Sequence, residues 1–78
     1  MSREEVLAKV IEFAAMAYGV DAATITEETN LNDLGVSSKY RVAMSASIEN
    51  DFDVMIPVAS FGKFESVAAL VDYIEDEM

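Results

Sequence analysis

The spacing of apolar residues predicts a first helix near the N-terminus. Apolar positions recur there at intervals of three and four residues, which is typical of one buried helical face. Ser2 and Glu5 stand in the arrangement of a capping box, and Gly19 follows as a helix stop. Glu5 and Lys9 are spaced for an ion pair. We predict a helix over residues 2–18, with apolar positions Val6, Leu7, Val10, Ile11, Phe13, Ala14, Ala17 and Tyr18.

A long loop and a second helix are predicted next. Between residues 20 and 36 the helical period is absent, and threonine and asparagine are frequent. A loop of this length in a small domain is usually functional. The period returns over residues 37–51 and predicts the second helix. The loop is predicted to be pinned by Ile25, Leu31 and Leu34, and the buried face of the helix to contain Met44, Ile48 and Phe52.

The last third of the chain predicts one short helix and one longer helix. Pro57 interrupts the chain after the second helix, residues 59–64 allow one short helical turn, and Ser66 is placed to cap a last helix. We therefore expect an all-α fold, a small four-helix bundle of three main helices and one short helix, in a single domain over residues 1–78. The inward stripe of the last helix is Val67, Leu70, Val71 and Ile74.

The composition argues against catalysis by the chain itself. Of the 78 residues 53% are hydrophobic, which is enough for a folded core. There is no cysteine, so neither a disulfide nor a thiolate metal site is possible. There is also no histidine, the commonest general base. We expect no enzyme activity and no catalytic residue.

The net charge of −10 restricts the partners. A negative field repels nucleic acids and anionic membranes. The sequence has no apolar run near the ~20 residues that span a bilayer, and its N-terminus does not resemble a signal peptide. We expect a cytoplasmic monomer that binds no nucleic acid and does not insert into membranes.

Two adjacent serines mark the predicted start of the second helix. Ser37 and Ser38 follow Gly35, with Ser38 three residues after it. A helix N-terminus favours an attached anion by ~0.3–1 kcal/mol, because its free N–H groups and dipole are positive. Serine is also a common N-cap. From these residues alone, a modified hydroxyl and an ordinary cap both remain open.

The surrounding sequence resembles the acyl carrier proteins. The segments that resemble the family are Asp33-Leu34-Gly35-Val36-Ser37-Ser38, Phe52-Asp53-Val54-Met55-Ile56-Pro57 and Val71-Asp72-Tyr73-Ile74. The resemblance implies that Ser38 carries a covalent 4'-phosphopantetheine derived from coenzyme A. It also implies that the thiol of this arm holds acyl groups as thioesters. The spacing from Gly35 favours Ser38 over Ser37 as the modified residue, and Ser37 then fits the cap.

The resemblance also implies partners. They are a phosphopantetheinyl transferase and acyl-loading and acyl-processing enzymes, which would contact Lys39, Val42 and Ala46 of the second helix. The family's usual Asp-Ser-Leu is Ser37-Ser38-Lys39 here. Fatty-acid synthesis is the default pathway, and the less acidic second helix favours a specialised lipid, polyketide or peptide pathway. Further candidates as walls near the arm or as partner contacts are Val42, Ala46, Val58, Phe61 and Phe64.

Two alternatives and one dismissed site complete the predictions. The chain could be a peptidyl carrier, or a protein-interaction module of the same fold that is never modified; Ser37 and Lys39 favour the latter. The acidic segment 49–53 lacks the glycine and closing glutamate of a calcium loop. We therefore expect no metal site. Met44 and Met55 are expected to be ordinary core residues.

Overall fold

The computed structural model describes residues 1–78 and contains no strand. Three α-helices make up most of the chain, and a six-residue 3₁₀ helix joins the second to the third. This confirms the expected all-α bundle of three main helices and one short helix. The elements are α1 (Arg3–Tyr18), α2 (Ser38–Phe52), the 3₁₀ helix Val58–Lys63 and α3 (Val67–Glu77).

Helix α1 begins and ends where the sequence predicts. The Ser2 hydroxyl accepts a hydrogen bond from the Glu5 N–H (3.3 Å), and the Glu5 carboxylate accepts one from the Ser2 N–H (3.2 Å). Gly19 closes the helix with a φ of 68°. The ion pair expected between Glu5 and Lys9 does not form. Lys9 instead lies 3.2 Å from the Asp51 carboxylate of α2, and the Glu5 carboxylate is engaged by Ser2.

The core lies where the three α-helices meet. All sixteen buried residues are apolar, and the predicted inward faces of α2 and α3 are among them. Not every apolar residue predicted for the α1 face is fully buried. Val6, Val10, Ala14 and Tyr18 are buried, and Leu7, Ile11, Phe13 and Ala17 are half-buried beside them. Burying each Val, Leu, Ile, Met or Phe side chain of the core contributes about 1.5–3 kcal/mol before entropy is subtracted. The helices contribute Val6, Val10, Ala14, Tyr18, Met44, Ile48, Phe52, Val67, Leu70, Val71 and Ile74, and the connections Ile25, Leu31, Val54, Ile56 and Phe61.

The segment between α1 and α2 is more ordered than its sequence predicts. It contains two 3₁₀ turns, Ala22–Thr24 and Leu31–Asp33. Ile25 and Leu31 are buried as expected, and Leu34 is half-buried against the core. The loop also caps α3, because the N–H groups of Val67 and Ala68 donate to the loop carbonyls of Thr29 (2.8 Å) and Glu27 (2.9 Å). The middle of the segment is therefore held against the core and against α3.

Arg3 ties the N-terminus of α1 to α3 and to the same loop. Its guanidinium lies 2.6 Å from the Asp72 carboxylate and 2.7 Å from that of Glu75. The Glu27 carboxylate is 3.6 Å away. These hydrogen bonds raise the pKa of Arg3 above its ordinary value. The first turn of α1 thus has fixed neighbours on two sides.

The turn after α2 places the 3₁₀ helix beside it. Asp53 adopts the left-handed conformation (φ 58°) and its N–H donates to the Glu49 carbonyl. The hydroxyl of Ser45, a polar residue beside the buried face of α2, donates to the Ile56 carbonyl (2.7 Å). That bond fastens the returning chain to α2. No helix in the structure has the length and apolar character required to cross a membrane.

Candidate functional site

The first turn of α2 assigns different roles to its two serines. Ser37 is the N-cap, and its hydroxyl accepts a hydrogen bond from the Lys39 N–H at 3.4 Å. The Tyr40 N–H donates to the Ser37 carbonyl at 3.2 Å. Ser38 is the first helical residue, and its exposed hydroxyl makes no hydrogen bond within the protein. The cap therefore does not need Ser38, whose hydroxyl is open to solvent and to another protein.

The charges around Ser38 favour an anion. The first turn of α2 contains no acidic residue, although the chain carries fifteen Asp and Glu. It contains Lys39 instead, whose ammonium lies 5.2 Å from the centre of the Tyr40 ring. The backbone N–H of Ser38 has no partner within the protein. A phosphodiester on Ser38 would thus meet a free N–H and the positive end of the helix dipole, with no acidic side chain in the same turn. The residues present fit such a group.

A close contact at Gly35 supports the chain as it enters α2. A Cβ atom on Gly35 would lie 2.6 Å from Cε2 of Tyr40 and 2.9 Å from Cδ2. The Tyr40 ring stacks in turn on Tyr18 at the end of α1, with ring centres 5.0 Å apart. Burial raises the pKa of the Tyr18 hydroxyl, and the charge of Arg41 acts in the opposite direction. Tyr40 and the neighbouring Arg41 are both half-buried.

Arg41 belongs to a polar network that sequence reasoning missed. Its Nη2 donates to Oδ1 of Asn32 at 2.9 Å. The Asn32 amide nitrogen donates to the Gly62 carbonyl of the 3₁₀ helix at 3.3 Å. A Cβ on Gly62 would lie 3.5 Å from the same Arg41 nitrogen. The network joins α2, the preceding loop and the 3₁₀ helix, which are far apart in sequence.

An open groove runs along α2 beyond Ser38, with a volume of about 830 Å³. Its apolar residues are Val42 and Ala46 of α2 and Val58 of the 3₁₀ helix. Val42 is 53% exposed, a large fraction for an aliphatic side chain. Glu49 and Asp53 line the far end. The surface therefore changes from cationic at Lys39 through apolar to acidic.

Not all of the residues predicted as walls near the arm or as partner contacts lie on this surface. Phe61 is only 3% exposed and is a core residue, so its assignment as a wall or contact is wrong. Phe64 is half-buried, with its ring 5.5 Å from that of Tyr73. Met44 is buried as expected, whereas Met55 is 69% exposed and is not a core residue. Lys39, Val42 and Ala46 are exposed, and Val58 is half-buried in the groove.

The acidic side chains do not converge on one point. No group of three or more carboxylates is placed to hold a metal ion. In the segment 49–53, Asp51 turns towards Lys9 of α1. Glu27 of the loop faces Arg3. These acids belong to ion pairs and to the solvated surface.

Comparison with known proteins agrees with the geometry. The family model described as "Phosphopantetheine attachment site" matches residues 8–74, which include the first turn of α2 and the groove. The Acyl carrier protein of Thermotoga maritima is 36% identical to this chain over 78 residues. That alignment covers 99% of this chain and 96% of the bacterial protein.

Proposed function

The chain belongs to the acyl carrier proteins, which are carriers and not enzymes, and we propose that Ser38 is the residue that takes its prosthetic group. The group used by this family is a covalently attached 4'-phosphopantetheine. The observation that supports Ser38 is the division of roles in the first turn of α2. Ser37 makes the cap, while the Ser38 hydroxyl is exposed and has no partner.

The chain's own residues give the attachment point its position. Helix α2 is held by its core face of Met44, Ile48 and Phe52, so Ser38 projects from a fixed element. The attached group supplies a thiol that holds acyl cargo as a thioester. The protein contributes an exposed hydroxyl, a positive helix end and a surface for enzymes. We propose that residues 1–78 work as one carrier domain.

We also propose that partner enzymes dock on the outer face of α2. Acyl carrier proteins are handled by a phosphopantetheinyl transferase and by acyl-processing enzymes. In this chain Lys39, Val42 and Ala46 are exposed beside Ser38, and the groove continues from them. Charge complementarity sets association rates and excludes wrong partners. Lys39 therefore favours enzymes of a specialised lipid or polyketide pathway over fatty-acid enzymes with a basic contact surface.

Intact mass spectrometry tests the attachment site. The purified protein is incubated with coenzyme A and a broad-specificity phosphopantetheinyl transferase, beside Ser38→Ala and Ser37→Ala. We expect the wild type and Ser37→Ala to gain one phosphopantetheine, and Ser38→Ala to gain none. Circular dichroism establishes that each variant is folded. A gain by Ser38→Ala would place the site elsewhere.

The same experiment separates the carrier from the alternative of an unmodified interaction module. The observation that favours the module is the absence of an acidic residue in the first turn of α2. If folded wild-type protein gains no mass with this transferase, and none when expressed in its own host, the module is supported. Mass gain at Ser38 excludes it.

Docking is tested by placing a charge in the apolar centre of the α2 face. Val42→Glu should lower kcat/KM of the transferase for this protein by about tenfold, a loss of ~1.4 kcal/mol. Met16→Glu is the matched control, because Met16 is 78% exposed on α1. We expect the control to match the wild type. Equal loss in both variants would contradict docking on α2.

A further inference from the structure

The cations of this chain fall into two groups. Of the five Lys and Arg residues, Arg3 and Lys9 pair with carboxylates. Lys39, Arg41 and Lys63 have no carboxylate within 4.0 Å, despite the net charge of −10. Because the chain has a threefold excess of acids, unpaired cations in it need an explanation.

Arg41 differs from the two lysines because its charged group is held in place. It is half-buried, and its only hydrogen bond is the one from Nη2 to the amide oxygen of Asn32. Asn32 is fixed in turn by its bond to the Gly62 carbonyl. A guanidinium has five N–H donors, so most of the donors of Arg41 are available to a ligand. The structure thus holds an oriented cation against a neutral partner.

The position of Arg41 relates it to Ser38. The two residues are three apart in α2, so their side chains lie on the same face of the helix. Side chains in helices lean towards the N-terminus. The contact with Asn32, which precedes the helix, shows that Arg41 reaches back over the first turn. The helix geometry therefore directs the guanidinium towards the turn that contains Ser38.

We propose that Arg41 binds the phosphodiester that joins the prosthetic arm to Ser38. This inference rests on Ser38 as the attachment site. Arginine suits the task, because its planar fork forms paired, charge-assisted hydrogen bonds to phosphate oxygens. Since Arg41 lies against Gly62, binding would draw the start of the arm towards the 3₁₀ helix and the groove beyond it. The arm would then leave the protein in a defined direction.

Lys39 provides the contrast that makes the proposal specific. It is next to Ser38 in sequence, but adjacent residues on a helix do not face each other. Its ammonium lies over the Tyr40 ring, 5.2 Å from the ring centre. Removing either charge changes the net charge by the same amount. Of these two residues, Arg41 shares the helix face of Ser38 and has the planar fork that suits a paired contact with phosphate.

The test measures Tm with and without the prosthetic group, at low salt, for wild type, Arg41→Gln and Lys39→Gln. For each protein, the Tm of the unmodified form is subtracted from the Tm of the modified form. This difference cancels the stability that Arg41→Gln loses with its bond to Asn32, because both forms lose it. We expect modification to raise the Tm of the wild type by about 1–6 °C. Arg41→Gln should lose at least half of that gain, Lys39→Gln should keep most of it, and salt should reduce it.

A second readout reports the contact itself. In the modified wild type, NMR should show scalar coupling between the Arg41 side-chain nitrogens and the phosphorus. Equal Tm gains in all three proteins together with no coupling would overturn the role of Arg41. In that case, mass gain at Ser38 would leave the attachment site intact. Failure of the folded wild type to be modified at all would instead refute the attachment site, and this inference with it.

Discussion

The starts of α1 and α2 use the same cap residue and differ in everything around it. At α1, Ser2 and Glu5 close a capping box, and the first turn contains two acids, Glu4 and Glu5. At α2, the Ser37 hydroxyl accepts one cap bond with no reciprocal carboxylate, and the first turn contains Lys39 and no acid. The helix dipole favours negative charge at both places.

This difference indicates that α2 lacks something that α1 already has. Natural proteins break local rules of helix formation mostly at functional sites. A phosphodiester on Ser38 would supply the negative charge that the first turn of α2 lacks. The start of α1 is complete within the chain, whereas the proposed modification of Ser38 would complete the start of α2. Four predictions test that contrast.

The largest expected effect comes from Gly35, which has no counterpart before α1. Gly35→Ala should destabilise the protein by about 1–3 kcal/mol, because the added Cβ would displace Tyr40 from its place against Tyr18. Gly62→Ala is the control, since its Cβ would meet Arg41 at an ordinary 3.5 Å. Thermal unfolding of both variants measures this. Equal stability of the two would show that the Tyr40 contact does not support the start of α2.

Alanine substitutions at Ser2 and Ser38 should separate a loss of stability from a loss of modification. Ser2→Ala should cost about 0.5–2 kcal/mol by opening the capping box, and should leave modification unchanged. Ser38→Ala should leave the Tm of the unmodified protein nearly unchanged, because the hydroxyl has no partner to lose. Thermal unfolding and mass spectrometry give the two readouts. A large Tm loss in Ser38→Ala would argue for a structural serine.

A smaller effect is expected when the first turn of α2 is made to resemble that of α1. Ser37→Asp keeps a capping oxygen and adds a negative charge, so the unmodified protein should gain about 0.3–1 kcal/mol. The gain should shrink in the modified protein, where a phosphodiester is already present. Thermal unfolding of both forms measures the difference. An equal gain in both would mean that the attached group does not act on this helix end.

The smallest effect concerns pH at the start of α1. Hydrogen bonds from Ser2 lower the pKa of Glu5 below its ordinary value of 4.5, so the folded protein binds this proton less readily than the unfolded chain. The stability from this group is present above pH 4.5 and is lost as the pH falls through the lower folded pKa.

Glu5→Gln should therefore flatten the fall in Tm below that pH, and Glu4→Gln is the matched control for charge. Thermal unfolding across the acid range measures both. If the Tm of Glu5→Gln fell at acidic pH as much as that of the wild type, the capping box would not be the cause of that fall.

Local sequence signals predicted most of the fold. The apolar spacing predicted α2 at residues 37–51, and the structure has it at Ser38–Phe52. Ser66 was predicted to cap the last helix and is the N-cap of α3. These features depend on neighbours a few residues apart, which the sequence displays. The role of Ser37 as a cap follows in the same way.

Contacts between distant segments were not predictable. Nothing local indicates that Lys9 would pair with Asp51, or that Asn32 would join Arg41 to Gly62. The exposure of Met55 and the burial of Phe61 depend on how the chain turns after α2. That turn uses a left-handed Asp53, where glycine is the usual signal. The candidate site was thus predicted at Ser38, and its supporting network was not.

The most direct test of the contrast between the two helix starts is the backbone amide NMR spectrum of the protein before and after modification. We expect the largest changes at residues 37–41, with the Ser38 and Lys39 amides more protected from exchange after modification. The first turn of α1 should not change. Spectra that coincide over α2, or that change equally at both helix starts, would contradict a helix start completed by a group on Ser38.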